Sequence, residues 1–284
     1  MKNILVTGGS GKAGRATIKL LLEKNYNVFN VDFVNNSELD VPFTKVDLED
    51  FGDAMEVVSE IDDRINGIDA VIHQAAIPAS GLEANHKTFR ANTLSTYNIF
   101  QASKVMKINN IVWASSETVL GLPFDTYPPY VPVDEEYDPR PESSYSLSKV
   151  MGEEMARQYC RRNPEMKIFG LRYSNIMEEN DYNQFKSFQN DPFLRKWNFW
   201  GYIDARDVAQ ACLLAMESNL KGADNFIIAA DDTVMEEDNK LLLDKVFPNI
   251  QIKGEIGKNK TLLSNEKAKK VLGFKPEYSW KNIN

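Results

Sequence analysis

The chain opens on a junction that leaves few folds available. Asn3-Ile4-Leu5-Val6-Thr7 is a short apolar run, and Gly8-Gly9-Ser10-Gly11-Lys12-Ala13-Gly14 follows without a break. Ala13, Ala16, Leu20 and Leu21 then repeat at helical spacing. Strand, glycine turn and helix, in that order, set the positive end of a helix where a pyrophosphate can sit. A side chain at Gly8 or Gly11 would block the tight turn and the close approach of backbone to phosphate, and Gly14 lets the helix lie against the sheet. The spacing is G-x-x-G-x-x-G, one residue away from the commoner G-x-G-x-x-G. The competing reading is a plain strand-to-helix turn, so the rest of the chain has to decide.

At 284 residues the chain holds one large α/β domain, or a domain with a smaller lobe. Its formal charge of −8 argues against nucleic acid or an anionic membrane as the main partner. Cys160 and Cys212 lie far apart in helix-compatible stretches and read as small core residues, not as a disulfide or nucleophiles. The N-terminal apolar run is too short for a signal peptide, and no stretch reaches membrane-spanning length; a cytoplasmic protein is expected.

Asn25 ends the first helix, and the run 27–33 reads as a second strand carrying Asp32, eighteen residues after Gly14. A carboxylate there accepts both ribose hydroxyls of an adenosine and repels a 2′-phosphate. Lys12 and Arg15 point the other way, since cations near the turn help a 2′-phosphate; NAD is favoured over NADP. Phe43–Val46 is a third strand, and Asp47-Leu48 opens a helix with Asp47 as N-cap. Ala70–His73 is a fourth strand, bounded by Gln74-Ala75-Ala76, whose alanines suit close passage of a cofactor. His73 and His86 make no metal-ligand spacing, so His73 reads as a buried, hydrogen-bonded strand end and no metal is expected. Asn92 falls inside a long helical stretch, about 82–107, where a polar residue is ordinarily solvated.

Asn110–Ser115 is the fifth strand, with Ser115-Ser116-Glu117-Thr118 at its carboxyl end, where open α/β sheets place their chemistry. A proline- and acid-rich loop, 121–141, follows. Tyr145 and Lys149 then share one face of the next helix. A tyrosine titrates near ~10 and is a poor base at neutral pH. A lysine one turn away favours the phenolate, and an oxidised nicotinamide adds to that. Any Y-x-x-x-K on a helix can be a surface pair; Ser116 at a strand end behind a dinucleotide turn raises this one.

Taken together these motifs resemble the extended short-chain dehydrogenase/reductase superfamily, in its NAD-dependent epimerase/dehydratase branch, over roughly residues 1–230. Residues 7–14 match T-G-x-x-G-x-x-G, Asp32 the ribose acid, Asp47-Leu48 the adenine-side pair, 73–76 the H-x-A-A strand end and Asn92 the helix asparagine. Residues 115–121 resemble S-S-x-x-V-Y-G, 171–175 L-R-x-x-N, and 202–209 the late aspartate segment. The resemblance implies Ser116, Tyr145 and Lys149 as the catalytic group. It implies cofactor contacts from Gly8, Gly11, Lys12, Ala13, Gly14, Asp32, Asp47, Leu48, Gln74, Ala75, Ala76, Asn92, Tyr145 and Lys149. It also implies a homodimer through the helices at 82–107 and 144–162.

Departures from the pattern bear on the substrate. Trp200 stands where sugar-nucleotide epimerases carry an arginine, Glu117 is not followed by a second acid, and residues 176–179 lack the usual glycine and proline. A compact, uronate-dehydrogenase-like member acting on a free sugar or sugar acid fits these features. Ser116, Glu117, Asn175, Arg195 and Lys196 are then the substrate-side candidates, Arg195 or Lys196 holding an anionic group, although Arg172 or a tail lysine could still hold a diphosphate. The aromatic stretch 181–200 reads equally as a hydrophobic lobe or a sugar-facing wall, and Asp204 and Asp207 as caps of the following helix. The expected fold is a doubly wound parallel sheet (Rossmann) over residues 1–173. A small C-terminal lobe covers 174–284, from which 204–230 returns to the sheet. A nucleotide-sugar epimerase of the UDP-glucose 4-epimerase type, retaining its NAD, and a dinucleotide-binding regulator are the alternatives.

Overall fold

The computed structural model describes residues 1–36, 38–59 and 67–282. In chain order the elements are β1 (Asn3–Thr7), α1 (Lys12–Glu23), β2 (Asn27–Asp32), β3 (Phe43–Lys45), α2 (Phe51–Ser59), β4 (Ala70–His73), α3 (Asn85–Val105), β5 (Asn110–Ser116) and α4 (Ser144–Arg162). They continue with β6 (Lys167–Tyr173), β7 (Ile176–Met177), α5 (Phe185–Phe188), β8 (Ile203–Asp204), α6 (Ala205–Glu217), β9 (Gly222–Ile228), α7 (Asn239–Val246) and α8 (Glu266–Leu272).

Seven strands form one parallel sheet in the order β3-β2-β1-β4-β5-β6-β9, the doubly wound arrangement expected. Helices α1 and α6 pack on one face, and α2, α3 and α4 cover the other. A parallel sheet covered on both faces needs nearly continuous apolar strands, and β6 is buried at all seven positions. Two of those positions are cationic, and each has buried partners. Lys167 Nζ donates to the carbonyls of Ala215 and Met216 at 2.8 Å and Ser218 at 2.6 Å, the orphan acceptors at the end of α6. Arg172 forms a bidentate pair with Glu153 of α4, both bonds 2.8 Å. Arg172 is therefore withdrawn from the diphosphate-holding role considered for it.

The chain reverses direction across the sheet between β1 and β4, where Thr7 lies opposite His73. That crevice is where open α/β sheets bind ligands. Beside it, a separate apolar cluster gathers Leu120, Phe124, Tyr182, Phe185, Phe199, Trp200, Tyr202 and Phe247. The aromatic stretch 181–200 thus chiefly builds a lobe core: Trp200 is fully buried and donates its indole N–H to Pro192 at 2.8 Å. Phe193 and Leu194 remain about half exposed. Among the described residues no helix is long and apolar enough to cross a membrane.

Two capping expectations are corrected. Helix α2 begins at Phe51, not beside Asp47, and the Asp50 carboxylate accepts from the N–H groups of Gly52 and Asp53. Asp47 instead closes a local turn, accepting from Glu49 N–H at 3.0 Å. Asp204 does cap α6 through Arg206 N–H. Asp207, however, accepts from Glu277 and Tyr278 and so holds the C-terminal tail; burial pushes its carboxyl up to about 7.

Candidate active site

The three glycines of the turn serve different ends. Gly8 sits at φ +69°, and a Cβ there would lie 2.5 Å from the Ala75 nitrogen on the neighbouring strand end. At Gly14 a Cβ would lie 2.2 Å from the Gly8 carbonyl, so this residue makes room for the turn's own backbone, not for the sheet as expected. At Gly11 a Cβ would meet nothing nearer than the Gly8 carbonyl at 3.5 Å. Gly11 is exposed, and no contact within the chain demands a glycine there. It is also the N-cap of α1 and offers no side-chain cap to the first N–H groups, those of Lys12, Ala13 and Gly14. An uncapped helix start behind a bare Cα fits a dinucleotide's pyrophosphate.

Asp32 ends β2 beside this turn, and its Oδ2 accepts from Ser10 N–H at 3.0 Å. Lys12 and Arg15 are both engaged by carboxylates of the C-terminal region: Lys12 with Asp181, Arg15 with Glu178. Across the crevice, Thr7 Oγ1 lies 2.7 Å from His73 Nδ1 and accepts from Ala75 N–H at 3.2 Å. Burial, followed by the charge of Lys149, drives His73 down to about 3, so the ring is neutral. It is the buried, hydrogen-bonded strand end expected. Gln74 turns its amide under the sheet to Tyr173 Oη at 2.9 Å, leaving Ala75 and Ala76 half-buried along the crevice. Asn92 is not solvated. Buried in α3, it accepts from Ile77 N–H at 2.8 Å and donates to the Ile77 carbonyl at 3.1 Å, pinning the segment after β4. Leu48 is buried, and its carbonyl accepts from Asn98, while Asp47 is exposed.

Helix α4 starts with a reciprocal cap between Ser143 and Ser146, which fixes the first turn carrying Tyr145. Ser148 Oγ donates to the Tyr145 carbonyl at 2.6 Å. Lys149 Nζ donates to the Ala114 carbonyl at 2.7 Å, two residues before Ser116, and lies 5.6 Å from the Tyr145 ring centroid. The fold therefore brings Ser116, Tyr145 and Lys149 together from β5 and α4. The expected depression of the tyrosine is reversed in this state. Burial pushes Tyr145 up to about 12, the Ser116 hydroxyl opposing the shift and the Glu117 charge adding to it. Burial also brings Lys149 down to about 8. Tyr145 is thus held protonated at neutral pH, while Lys149, at about 8, keeps most of its charge there.

Beneath them lies a polar cluster that the sequence motifs announce only in part. Glu117 is buried, accepts from Ser174 Oγ at 2.7 Å and Asn198 Nδ2 at 3.1 Å, and is pushed up to about 7 by burial. Asn175 Oδ1 accepts from Arg195 at 2.9 Å, and a second guanidinium nitrogen of Arg195 donates to the Gly201 carbonyl at 2.8 Å. Arg195 is thus an internal residue, stacked between Phe188 and Trp197. Lys196 faces outward, 3.4 Å from Asp125. Of the two neighbouring cations offered as alternatives for one role, one is buried with internal partners and the other is half-buried beside an exposed carboxylate. Ser174 and Asn198 carry no motif that marks them, and only the fold shows their place.

The chain matches the model of the NAD dependent epimerase/dehydratase family over residues 4–229. It is 30% identical over 192 residues to a bifunctional UDP-glucose 4-epimerase and UDP-xylose 4-epimerase of Arabidopsis thaliana, covering 61% of this chain and 52% of that one. The chain spans about half the length of the curated relatives it matches. Among solved structures, a short-chain dehydrogenase/reductase superfamily protein from Agrobacterium tumefaciens with bound NAD superimposes with a TM-score of 0.73 at 23% identity, covering 98% of this chain and 94% of that chain. UDP-glucose 4-epimerase from Thermotoga maritima with UDP-glucose gives the same values, 0.73 and 23%, over 98% and 94%. Sheet order, glycine turn and family match agree, and NAD, the cofactor expected from Asp32, is the one this family uses. The chain belongs to the NAD dependent epimerase/dehydratase family.

Proposed function

We propose that the protein is an NAD-dependent oxidoreductase that removes hydride from a hydroxyl-bearing carbon of a sugar or sugar acid. The convergence of Ser116, Tyr145 and Lys149 at the carboxyl end of β5 is the observation that carries this reading. Residues 1–173 are assigned to cofactor binding and 174–284 to the substrate side, with 204–230 returning to the sheet. Gly8, Gly11, Lys12, Ala13 and Gly14 form the phosphate cradle, Asp32 takes the ribose, and Asp47 with Leu48 lies on the adenine side. Gln74, Ala75, Ala76 and Asn92 shape the wall the cofactor passes. Bound NAD supplies the hydride acceptor and, at its oxidised ring, a positive charge.

Tyr145 takes the proton of the reacting hydroxyl through its Oη, and Ser116 Oγ holds that oxygen. Lys149 binds the nicotinamide ribose and keeps a positive charge within reach of Tyr145. Burial holds Tyr145 protonated at neutral pH, so its work as a base depends on positive charge beside it, from Lys149 and the oxidised nicotinamide. A regulator that binds dinucleotide without turnover has no need of these three side chains, which favours the enzyme.

Net oxidation with release of NADH is the preferred outcome. Arg172 is paired with Glu153, which withdraws one candidate diphosphate anchor, and Trp200, buried where epimerases carry an arginine, supplies no other. Glu117, Asn175 and Arg195 form the substrate-side floor. The names of the curated relatives favour a second reading, epimerisation of a UDP-sugar with cofactor retained. Supplying NAD with uronates, aldoses and UDP-sugars separately, and following both NADH and product identity, tests the choice. NADH stoichiometric with an oxidised free sugar supports the first reading; conversion of a UDP-sugar to its epimer without net NADH establishes the second.

A homodimer through α3 and α4 is also inferred. Leu94 and Tyr97 of α3 and Leu147 and Met151 of α4 are each about two-fifths exposed on these two neighbouring helices.

A further inference from the structure

The acids that follow Asn175 and Met177 have a structural role. Glu178 and Asp181 form a reciprocal cap on the turn 179–184, in which Asp181 Oδ2 accepts from Glu178 N–H at 2.7 Å. Both carboxylates also reach across to α1: Asp181 takes Lys12 and Glu178 takes Arg15. Glu179 lies 3.7 Å from Arg206 at the start of α6. Arg15 in turn donates to the Ser10 carbonyl at 2.8 Å, and Ser10 N–H donates to Asp32 at 3.0 Å. A continuous chain, Glu178–Arg15–Ser10–Asp32, thus joins the acidic segment to the carboxylate assigned to the adenosine ribose.

Lys12 and Arg15 are oddly placed for helix stability. They occupy the first turn of α1, which contains no acid, so both cations face the positive end of the helix dipole. Such cations need an anion nearby. In this protein the anions come from residues far along the chain.

Building on the dinucleotide reading above, we infer that Glu178 and Asp181 are specificity-determining residues for the cofactor: by occupying Arg15 and Lys12 they keep a second phosphate on the adenosine ribose unpartnered beside Asp32. The discrimination is then divided between repulsion by Asp32 and neutralisation of the two cations from the other side of the cleft. These two carboxylates act through Lys12 and Arg15 and touch neither cofactor nor substrate.

The test is calorimetric titration of NAD and NADP into the whole chain as wild type, as Glu178→Gln/Asp181→Asn, and as that variant with Lys12→Ala/Arg15→Ala added. The ratio of the two dissociation constants is the readout, because a general loosening of the fold weakens both ligands alike. Freeing two cations should move the ratio toward NADP by about tenfold or more, the worth of one charge-assisted contact to phosphate. Removing the cations should return the ratio to its wild-type side. If the double variant does not fold, Glu178→Gln alone carries the same comparison through Arg15. An unchanged ratio in the carboxylate variants would overturn the inference, as would a shift that survives removal of Lys12 and Arg15. Wild-type protein that binds neither dinucleotide would overturn the underlying cofactor reading instead, and this inference with it.

Discussion

Tyr145 is buried beside Ser116 and Lys149, and burial pushes its hydroxyl up to about 12. On the proposed reading it is the proton relay of the site. Tyr145→Phe should therefore cost roughly 10²–10⁴ in turnover, the range for a positioned acid/base, while NAD affinity stays near wild type. Steady-state rates beside a cofactor titration check this, and normal turnover by the variant would remove Tyr145 from the relay. His73 gives a prediction for stability. Its folded value of about 3 lies below the ordinary 6.5. The unfolded chain thus binds the extra proton, and stability from the neutral ring is present above pH ~6.5 and is lost as pH falls toward ~3. The ceiling is on the order of 5 kcal/mol. His73→Asn should lower the melting temperature at neutral pH, and its deficit should shrink as the buffer is taken to pH ~4.5; a constant deficit would contradict the assignment. The burial of His73 was legible because it ends an apolar strand. That of Arg195 was not, since nothing in 181–200 repeats with a helical or strand period, and the arginine's partners, Asn175 and Gly201, come from other segments.

At the scale of elements, the strand–turn–helix unit at the N-terminus separates folding from binding. Gly8→Ala meets backbone at 2.5 Å in a left-handed conformation and should destabilise the protein by about 2 kcal/mol or more. Gly11→Ala has room and a negative φ, so it should melt near wild type and yet bind NAD more weakly. Comparing melting curves with cofactor titrations for the two variants checks both halves. A Gly11→Ala protein that binds NAD as the wild type does would show that the bare Cα has no ligand to admit. Strands and long helices were legible because periodicity and glycine stops mark them; Gly273, at φ +74°, ends α8 as its position implies. Helix starts were less so. Asp47 and Asp50 are equally good caps by residue type, and the choice fell to Asp50 because Asp47 closes its own turn.

Across the whole molecule, a parallel sheet and a separate aromatic lobe core lie side by side. The doubly wound parallel sheet followed from alternating strands and helices. The lobe is built from short turns and aromatic packing, Phe185 against Tyr182, Tyr202 and Trp280, whose partners are distant in sequence. Periodicity cannot report such contacts. The inferred dimer has its own check: Leu94→Glu/Met151→Glu should shift the sedimentation of the protein to that of a monomer, and an unchanged species would place the contact elsewhere. The central claim is hydride transfer from a sugar carbon to NAD at Ser116, Tyr145 and Lys149. Its most direct measurement is the absorbance of reduced nicotinamide when protein loaded with NAD is mixed, in a single turnover, with each of a panel of uronates, aldoses and UDP-sugars. Reduction by at least one sugar, slowed roughly 10²–10⁴-fold in Tyr145→Phe that still binds NAD, is the expected result; bound NAD that no sugar reduces, or reduction undiminished in Tyr145→Phe, would contradict the account.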